Sequence, residues 1–283
     1  MIDTLDVGPE EKRYFDSNGY ALIKGLASVE EIRSVRTYIQ EVVRKMTEKN
    51  DRQGRLDDYT KLFLQVTNAW RLDGRIAKFV FQEKFAKIAA GLIGVNSVRL
   101  YHDQALFKPP GGERTPWHQD MFYWPLDTDK TITMWMPLTD VTQEMGSLVF
   151  ACGSHKNGLI CNRPISLSNE DEVEKLILET TYMRRSHELK AGDATFHSGF
   201  VVHSAYPNRS QSVREAMTII YFADGARMVK SPNKYQQVDA NVFVPGARPG
   251  EPAASELNPV LYRADVPKGM KPAHTLVVSQ LEV

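Results

Sequence analysis

Residues 192–222 read GDATFHSGFVVHSAYPNRSQSVREAMTIIYF, and the spacing of turn residues here decides the kind of fold the chain can adopt. Three short β-prone runs, 194–197, 200–205 and 216–222, are separated only by turn signals, Ser198-Gly199 and Pro207-Asn208. Short strands without regular intervening helices favour a sandwich, barrel or jelly roll over a parallel α/β sheet. The same pattern extends upstream through 98–107, 131–137 and 147–151, with further turns at 109–112 (PPGG) and at Gly153-Ser154.

Before these strands, about the first 95 residues carry helical periodicity. A short helix is expected at 9–18 and a strand from Tyr20 (YALIKG). Ser28 then opens a second helix, with the Ser-x-x-Glu spacing of a capping box to Glu31. Ile32, Val35, Ile39, Val42, Val43 and Met46 form its buried stripe. The polar segment 49–58 (KNDRQGRLDD) reads as an exposed loop, and one further helix is expected over 75–93. After the strands, 224–258 is rich in Pro, Gly and Ala and reads as loop wrapping the surface. The expectation is a mainly β domain with flanking helices over 1–283. Its parts are a largely helical portion (1–95), a β core (96–223) and a C-terminal extension (224–283).

Composition narrows the partners. Lys plus Arg equals Asp plus Glu at 35 each, so no global field draws the chain to nucleic acid or to an anionic membrane. No apolar run approaches the ~20 residues that span a bilayer. No nucleic-acid or membrane partner is expected; oligomeric state cannot be read from one sequence. Cys152 and Cys161 are the only cysteines, too few to staple such a chain, and read as inert small apolar residues in a reducing compartment. The opening MIDTLDVGPEEKRYF lacks the apolar centre of a signal peptide, and SQLEV at the end is neither a prenylation box nor the SKL address. The expected location is the cytoplasm.

The chemistry centres on Trp117-His118-Gln119-Asp120. In extended chain, residues two apart share a face, so His118 and Asp120 can offer an imidazole nitrogen and a carboxylate oxygen to one ion. An isolated triplet of this kind also arises by chance on a surface, in a chain with seven histidines. A third ligand changes the weighing. His197 and His203 both lie in the quoted stretch, but only His203 stands eleven residues before an arginine, Arg214, that enters the next strand. Two histidines and one carboxylate are the facial triad of non-haem iron oxygenases. An arginine on the neighbouring strand is what a bound dicarboxylate would require. Arg209, in the Pro-Asn-Arg-Ser loop, reads as solvated, and His197 as packed beside the site.

These pieces together resemble the phytanoyl-CoA dioxygenase family of iron(II)/2-oxoglutarate oxygenases. The resemblance runs from about Phe15 to Phe222. It includes Phe15 to Tyr20 (F-x-x-x-G-Y), Lys108-Pro-Pro-Gly, Thr115-Pro-Trp-His-Gln-Asp120, Trp135-Met-Pro-Leu, Gly146-Ser-Leu, Gly153-Ser-His-Lys and the His203-to-Arg214 block. It implies a double-stranded β-helix (jelly-roll, cupin-like) core, with iron on His118, Asp120 and His203 and the distal carboxylate of 2-oxoglutarate on Arg214. Trp135, Ser204, Gln119 and Lys108 would line the cosubstrate pocket. Cys152 departs from the family's usual proline before Gly-Ser-His, which bears on a turn.

Substrate contacts are expected from His102 and from the aromatic run Phe122, Tyr123 and Trp124, each of which also reads as ordinary core. His155 reads as a turn residue and His187 as exposed. The activity implied is oxidation, foremost hydroxylation, of an unactivated C–H bond in a small-molecule metabolite, such as one of secondary metabolism. Iron(II), 2-oxoglutarate and O2 would take part, with release of succinate and CO2. Desaturation, epoxidation and ring formation are alternatives with the same cofactors. A catalytically silent jelly-roll binding protein and a zinc hydrolase are the rivals from other classes. The first would be free to lose Arg214, and the second leaves Arg214 and Trp135 unexplained.

Overall fold

The computed structural model of the chain describes residues 6–52, 63–165, 170–180 and 182–264. The first half runs α1 (Pro9–Asn18), β1 (Tyr20–Ile23), α2 (Val29–Arg52), β2 (Leu64–Thr67), α3 (Gly74–Val80), α4 (Glu83–Ile93), β3 (Ser97–Lys108), β4 (Thr115–His118) and β5 (Thr131–Pro137). It continues with β6 (Leu148–Ala151), α5 (Glu170–Glu179), β7 (Arg184–Ser186), β8 (Ala194–Ser198), β9 (His203–Ala205), β10 (Arg214–Ala223), α6 (Lys234–Phe243) and β11 (Val260–Arg263). A larger sheet has the order β1-β8-β5-β10-β3-β11, with β2 also paired to β3; a smaller one has the order β4-β9-β6-β7. The pairings within both sheets are antiparallel. This is a jelly roll with helices on its flank.

Alternation along the strands sorts side chains between two environments. On β5, Ile132, Met134 and Met136 join the core shared with the helices, as do Met217, Ile219 and Tyr221 on β10. The intervening residues point the other way, between the sheets. Register aligns them in rows: His102, Ile220, Thr133 and His197 lie side by side across β3, β10, β5 and β8. The next row is Gln104, Thr218, Trp135 and Thr195, and Lys108 pairs with Arg214 at the far end. A β-bulge between Ile220 and Tyr221 keeps this inward face intact while shifting the register beyond it.

The capping box forms as read: the Glu31 backbone N–H donates to Ser28 Oγ (3.1 Å), and the Ser28 N–H donates to Glu31 Oε2 (2.8 Å). Its stripe buries Ile32, Val35, Ile39, Val42 and Val43. Helix α2 continues through Arg52, so the loop expected at 49–58 is corrected for 49–52; 53–58 lie outside the described residues, as do 265–283 of the C-terminal extension. Where one helix was expected over 75–93, there are two. Phe79, Val80 and Phe81 are consecutive and all buried. Three successive side chains diverge around a helix, so the chain turns at Gln82, which is extended, and Phe81 packs on Trp70 with ring centroids 5.1 Å apart. Among the described residues, no helix is long and apolar enough to cross a membrane.

Candidate metal centre and cavity

The two sheets bring the sequence-expected ligands to one point through strand pairing. His118 ends β4 and is the direct partner of His203, which begins β9. Gln119 remains extended (φ −124°, ψ 129°), so the two-residue alternation carries past the strand end and turns Asp120 to the same side as His118. Asp120 Oδ1 lies 3.5 Å from His118 Nε2 and 3.8 Å from His203 Nε2. One donor atom from each of the three falls within 4.8 Å of the others.

Both imidazoles are oriented from behind. His118 Nδ1–H donates to the Pro116 carbonyl (2.8 Å) and His203 Nδ1–H to the Val201 carbonyl (3.1 Å). Each bond fixes the tautomer that leaves Nε2 as a lone-pair donor. Burial, and then the adjacent His118, hold His203 well below the usual imidazole range. Burial alone would raise the Asp120 carboxyl, but the neighbouring imidazoles, His203 foremost, outweigh it and hold it well below the usual carboxylate range. Neutral imidazole and ionised carboxylate are the forms that ligate a divalent cation. The donor set therefore fits iron(II). His197 sits on the other side of the carboxylate, Nε2 3.7 Å from Asp120 Oδ2, where Thr133 Oγ1 also donates (3.3 Å). His197 Nδ1 has no hydrogen-bond partner among the described residues.

The cluster opens on a cavity of about 360 Å³. Of the residues singled out from sequence, His102, Tyr123, Trp124, Trp135 and Ser204 line it. Arg214 is 1 % exposed, and its guanidinium lies 5.4 Å from the Trp135 ring and 5.9 Å from the Phe63 ring, both of which line the cavity. Its Nε has no hydrogen-bond partner among the described residues. The adjacent Glu215 is already committed, accepting a bidentate pair from Arg36 and a hydrogen bond from Gln40. Burial lowers Arg214 to about 10. Among the described residues no carboxylate pairs with Arg214, and a buried cation in that setting is costly unless an anion arrives. Arg209, by contrast, is exposed.

Some expectations need correction. Gln119 does not face the cavity: its amide donates to the carbonyls of Gly158 and Phe200, and its oxygen accepts from the N–H groups of Ile160 and Cys161. Alternation explains this, since a residue between two ligands must point away from them. Phe122 also turns away, packing its ring against Tyr123 and Tyr235. Asp120 begins a 3₁₀ turn, in which residues three apart eclipse, so Tyr123 and not Phe122 shares the direction of Asp120. Lys108 is fully buried but stands behind the cavity wall, donating to the Tyr206 carbonyl (2.9 Å) and Thr115 Oγ1 (3.4 Å). Burial, then the neighbouring Arg214, lowers its amine to about 7. His187, expected to be exposed, is half-buried and hydrogen-bonded to the Tyr20 hydroxyl (2.9 Å).

The role of Gln119 carries a prediction. Gln119→Ala leaves two backbone N–H groups and two carbonyls without their partner, at a cost of about 2–5 kcal/mol. Thermal denaturation is expected to show a clear fall in Tm with the metal ligands still in place; an unchanged Tm would show that water substitutes for the amide.

Sequence reading missed Asp239 and Phe243, both of which line the cavity. They stand on α6, within a segment read as loop. The available signal was the helix start Asn233-Lys-Tyr-Gln236: the Asn233 side chain accepts from the Tyr235 and Gln236 N–H groups, and Gln236 returns the bond. Gly199 was read only as a turn residue. A Cβ there would lie 2.6 Å from both Trp124 Cζ3 and Thr131 Oγ1, so glycine at 199 permits the aromatic wall to close on the turn between His197 and His203.

The family model for phytanoyl-CoA dioxygenase (PhyH) matches residues 15–216. A probable alpha-ketoglutarate-dependent hypophosphite dioxygenase of Stutzerimonas stutzeri is 27% identical over 235 residues, 77% of this chain and 79% of that protein. The phytanoyl-CoA dioxygenase of Arabidopsis thaliana is 27% identical over 268 residues, 80% of this chain and 93% of that one. Among solved structures, the non-haem alpha-ketoglutarate-dependent carbocyclase SnoK from nogalamycin biosynthesis superposes with a TM-score of 0.74 at 26% identity, covering 90% of this chain and 96% of that chain. With the family match spanning the jelly roll from Phe15 to the start of β10, the chain belongs to the phytanoyl-CoA dioxygenase (PhyH) family of iron(II)- and 2-oxoglutarate-dependent oxygenases.

Proposed function

We propose that the protein oxidises a C–H bond of a small, free metabolite, with hydroxylation as the outcome. The observation that carries this reading is the His118–Asp120–His203 group opening on a cavity, with the buried guanidinium of Arg214 5.4 Å and 5.9 Å from two of the rings that line it, Trp135 and Phe63. His118, Asp120 and His203 would hold iron(II), and Arg214 would take the distal carboxylate of 2-oxoglutarate, with Ser204 and Trp135 beside it. When bound, the iron supplies reductive activation of O2 coupled to decarboxylation of 2-oxoglutarate to succinate and CO2.

The chain's own part is orientation and exclusion. The Pro116 and Val201 carbonyls hold the two rings, Thr133 steadies the carboxylate, and Leu106, Leu148, Ile220 and Phe243 keep the walls dry. A cavity of about 360 Å³ suits a compact metabolite, which favours a free molecule over an acyl thioester. Ring formation is a second reading, favoured by the likeness to the SnoK carbocyclase, because it shares hydrogen abstraction from carbon and differs only in the bond that carbon then forms.

Succinate release tests the proposal. Protein supplied with iron(II), 2-oxoglutarate and O2 is expected to form succinate slowly even without substrate, to stop on chelation and to resume when iron(II) is restored. No succinate above the protein-free background, together with no 2-oxoglutarate binding, would overturn it.

A further inference from the structure

Helix α6 presents two side chains to the cavity, Asp239 and Phe243. Among the described residues Asp239 has one hydrogen bond, from the Tyr101 hydroxyl to Oδ2 at 3.3 Å, and no cation pairs with it. His102, which also lines the cavity, supplies no charge: burial lowers it to about 3, and its ring stacks on Phe243 with centroids 3.9 Å apart at 20°. Lys234, on the same helix, is exposed and lies over the Tyr235 ring. Burial raises the Asp239 carboxyl to about 7, the mark of an anion poorly served by its surroundings.

Those surroundings are aromatic. Tyr101 packs edge-on to Trp124 (5.6 Å) and tilted against Phe243 (5.5 Å), and Tyr123, Trp124 and Phe243 all face the cavity. Aromatic faces attract a cation, and a carboxylate in a low-dielectric setting pairs with one through a charge-assisted hydrogen bond. Asp120 belongs to the metal group, so Asp239 is the cavity-lining carboxylate outside it among the described residues.

We propose that Asp239 determines specificity by receiving a protonated amine of the substrate, so that the substrate is a small amine-bearing metabolite whose apolar body lies along Tyr123, Trp124 and Phe243. This rests on the reading of the cavity as the active site.

A matched pair of probes, 2-phenylethylamine and 2-phenylethanol, tests it, with binding followed by ligand-observed NMR. The comparison is made on metal-free protein and on protein loaded with iron(II) and 2-oxoglutarate without O2. A failure of the iron reading, seen as no 2-oxoglutarate binding, thus leaves the amine test readable. The amine is expected to bind about tenfold or more tightly than the alcohol. Asp239→Asn, which keeps the shape and the acceptor for Tyr101, is expected to bring the two within about twofold, while Asp239→Glu keeps the preference. An amine that does not bind, an amine and alcohol that bind alike, or a preference that survives Asp239→Asn each overturns the proposal.

Discussion

Asp120→Ala is expected to remove iron-dependent succinate formation by a factor on the order of 10³ or more, since loss of a supporting partner alone costs about 10–100-fold at metal sites. Both oxygens of Asp120 have close polar neighbours: the Nε2 atoms of His118 and His203 at Oδ1, and His197 Nε2 with the donating Thr133 hydroxyl at Oδ2. Without the carboxylate the group carries no negative charge to hold a dication. The rings themselves stay in place, because Pro116 and Val201 orient them from behind. The folded protein is therefore expected to persist in metal-free form, with a circular dichroism spectrum like that of the parent. His118→Ala is expected to behave alike. Titration with iron(II) or cobalt(II) checks the cause; a variant that retains tight metal binding and full turnover would place the metal elsewhere.

The second large effect falls on Arg214. Arg214→Met is expected to raise the 2-oxoglutarate requirement by about 10²-fold, the equivalent of roughly 2–3 kcal/mol for a bidentate charge-assisted pair. Iron(II) affinity is expected to change little. Stability is expected to move the other way. Arg214 is buried, its Nε has no acceptor among the described residues, and burial already lowers it to about 10; an apolar side chain of similar length removes that desolvation cost. The variant without cosubstrate should melt at or above the parent's Tm while binding 2-oxoglutarate poorly. Arg214→Lys should fall between, since an ammonium lacks the planar fork. An unchanged 2-oxoglutarate dependence would show that another group takes the distal carboxylate.

Much of the fold was legible because its signals are local. The capping box at Ser28 and Glu31 involves residues three apart, and the runs at 131–137 and 216–222 declare themselves through β-prone residues between turns. The split at Phe81-Gln82 was not legible, because the contact that causes it, with Trp70, depends on how two segments meet. Helix α6 announced itself only by its cap. Its Val238 and Val242 are exposed, so no apolar stripe marks a helix whose inward face carries Asp239.

By itself the sequence determined the metal-binding group: His118 and Asp120 share a face through the alternation of extended chain, and His203 with Arg214 carries a spacing that spans two adjacent strands. Those are short-range properties of backbone geometry. Tertiary structure alone decided which polar side chains meet the cavity and which are spent on the backbone. Gln119 closes a loop, Lys108 stands behind the wall, Phe122 turns outward, and Asp239 comes in from a helix far along the chain. A residue type states what a side chain can bond. Its partner is set by what the fold packs beside it, and an unsatisfied buried charge becomes visible only once every neighbour is known.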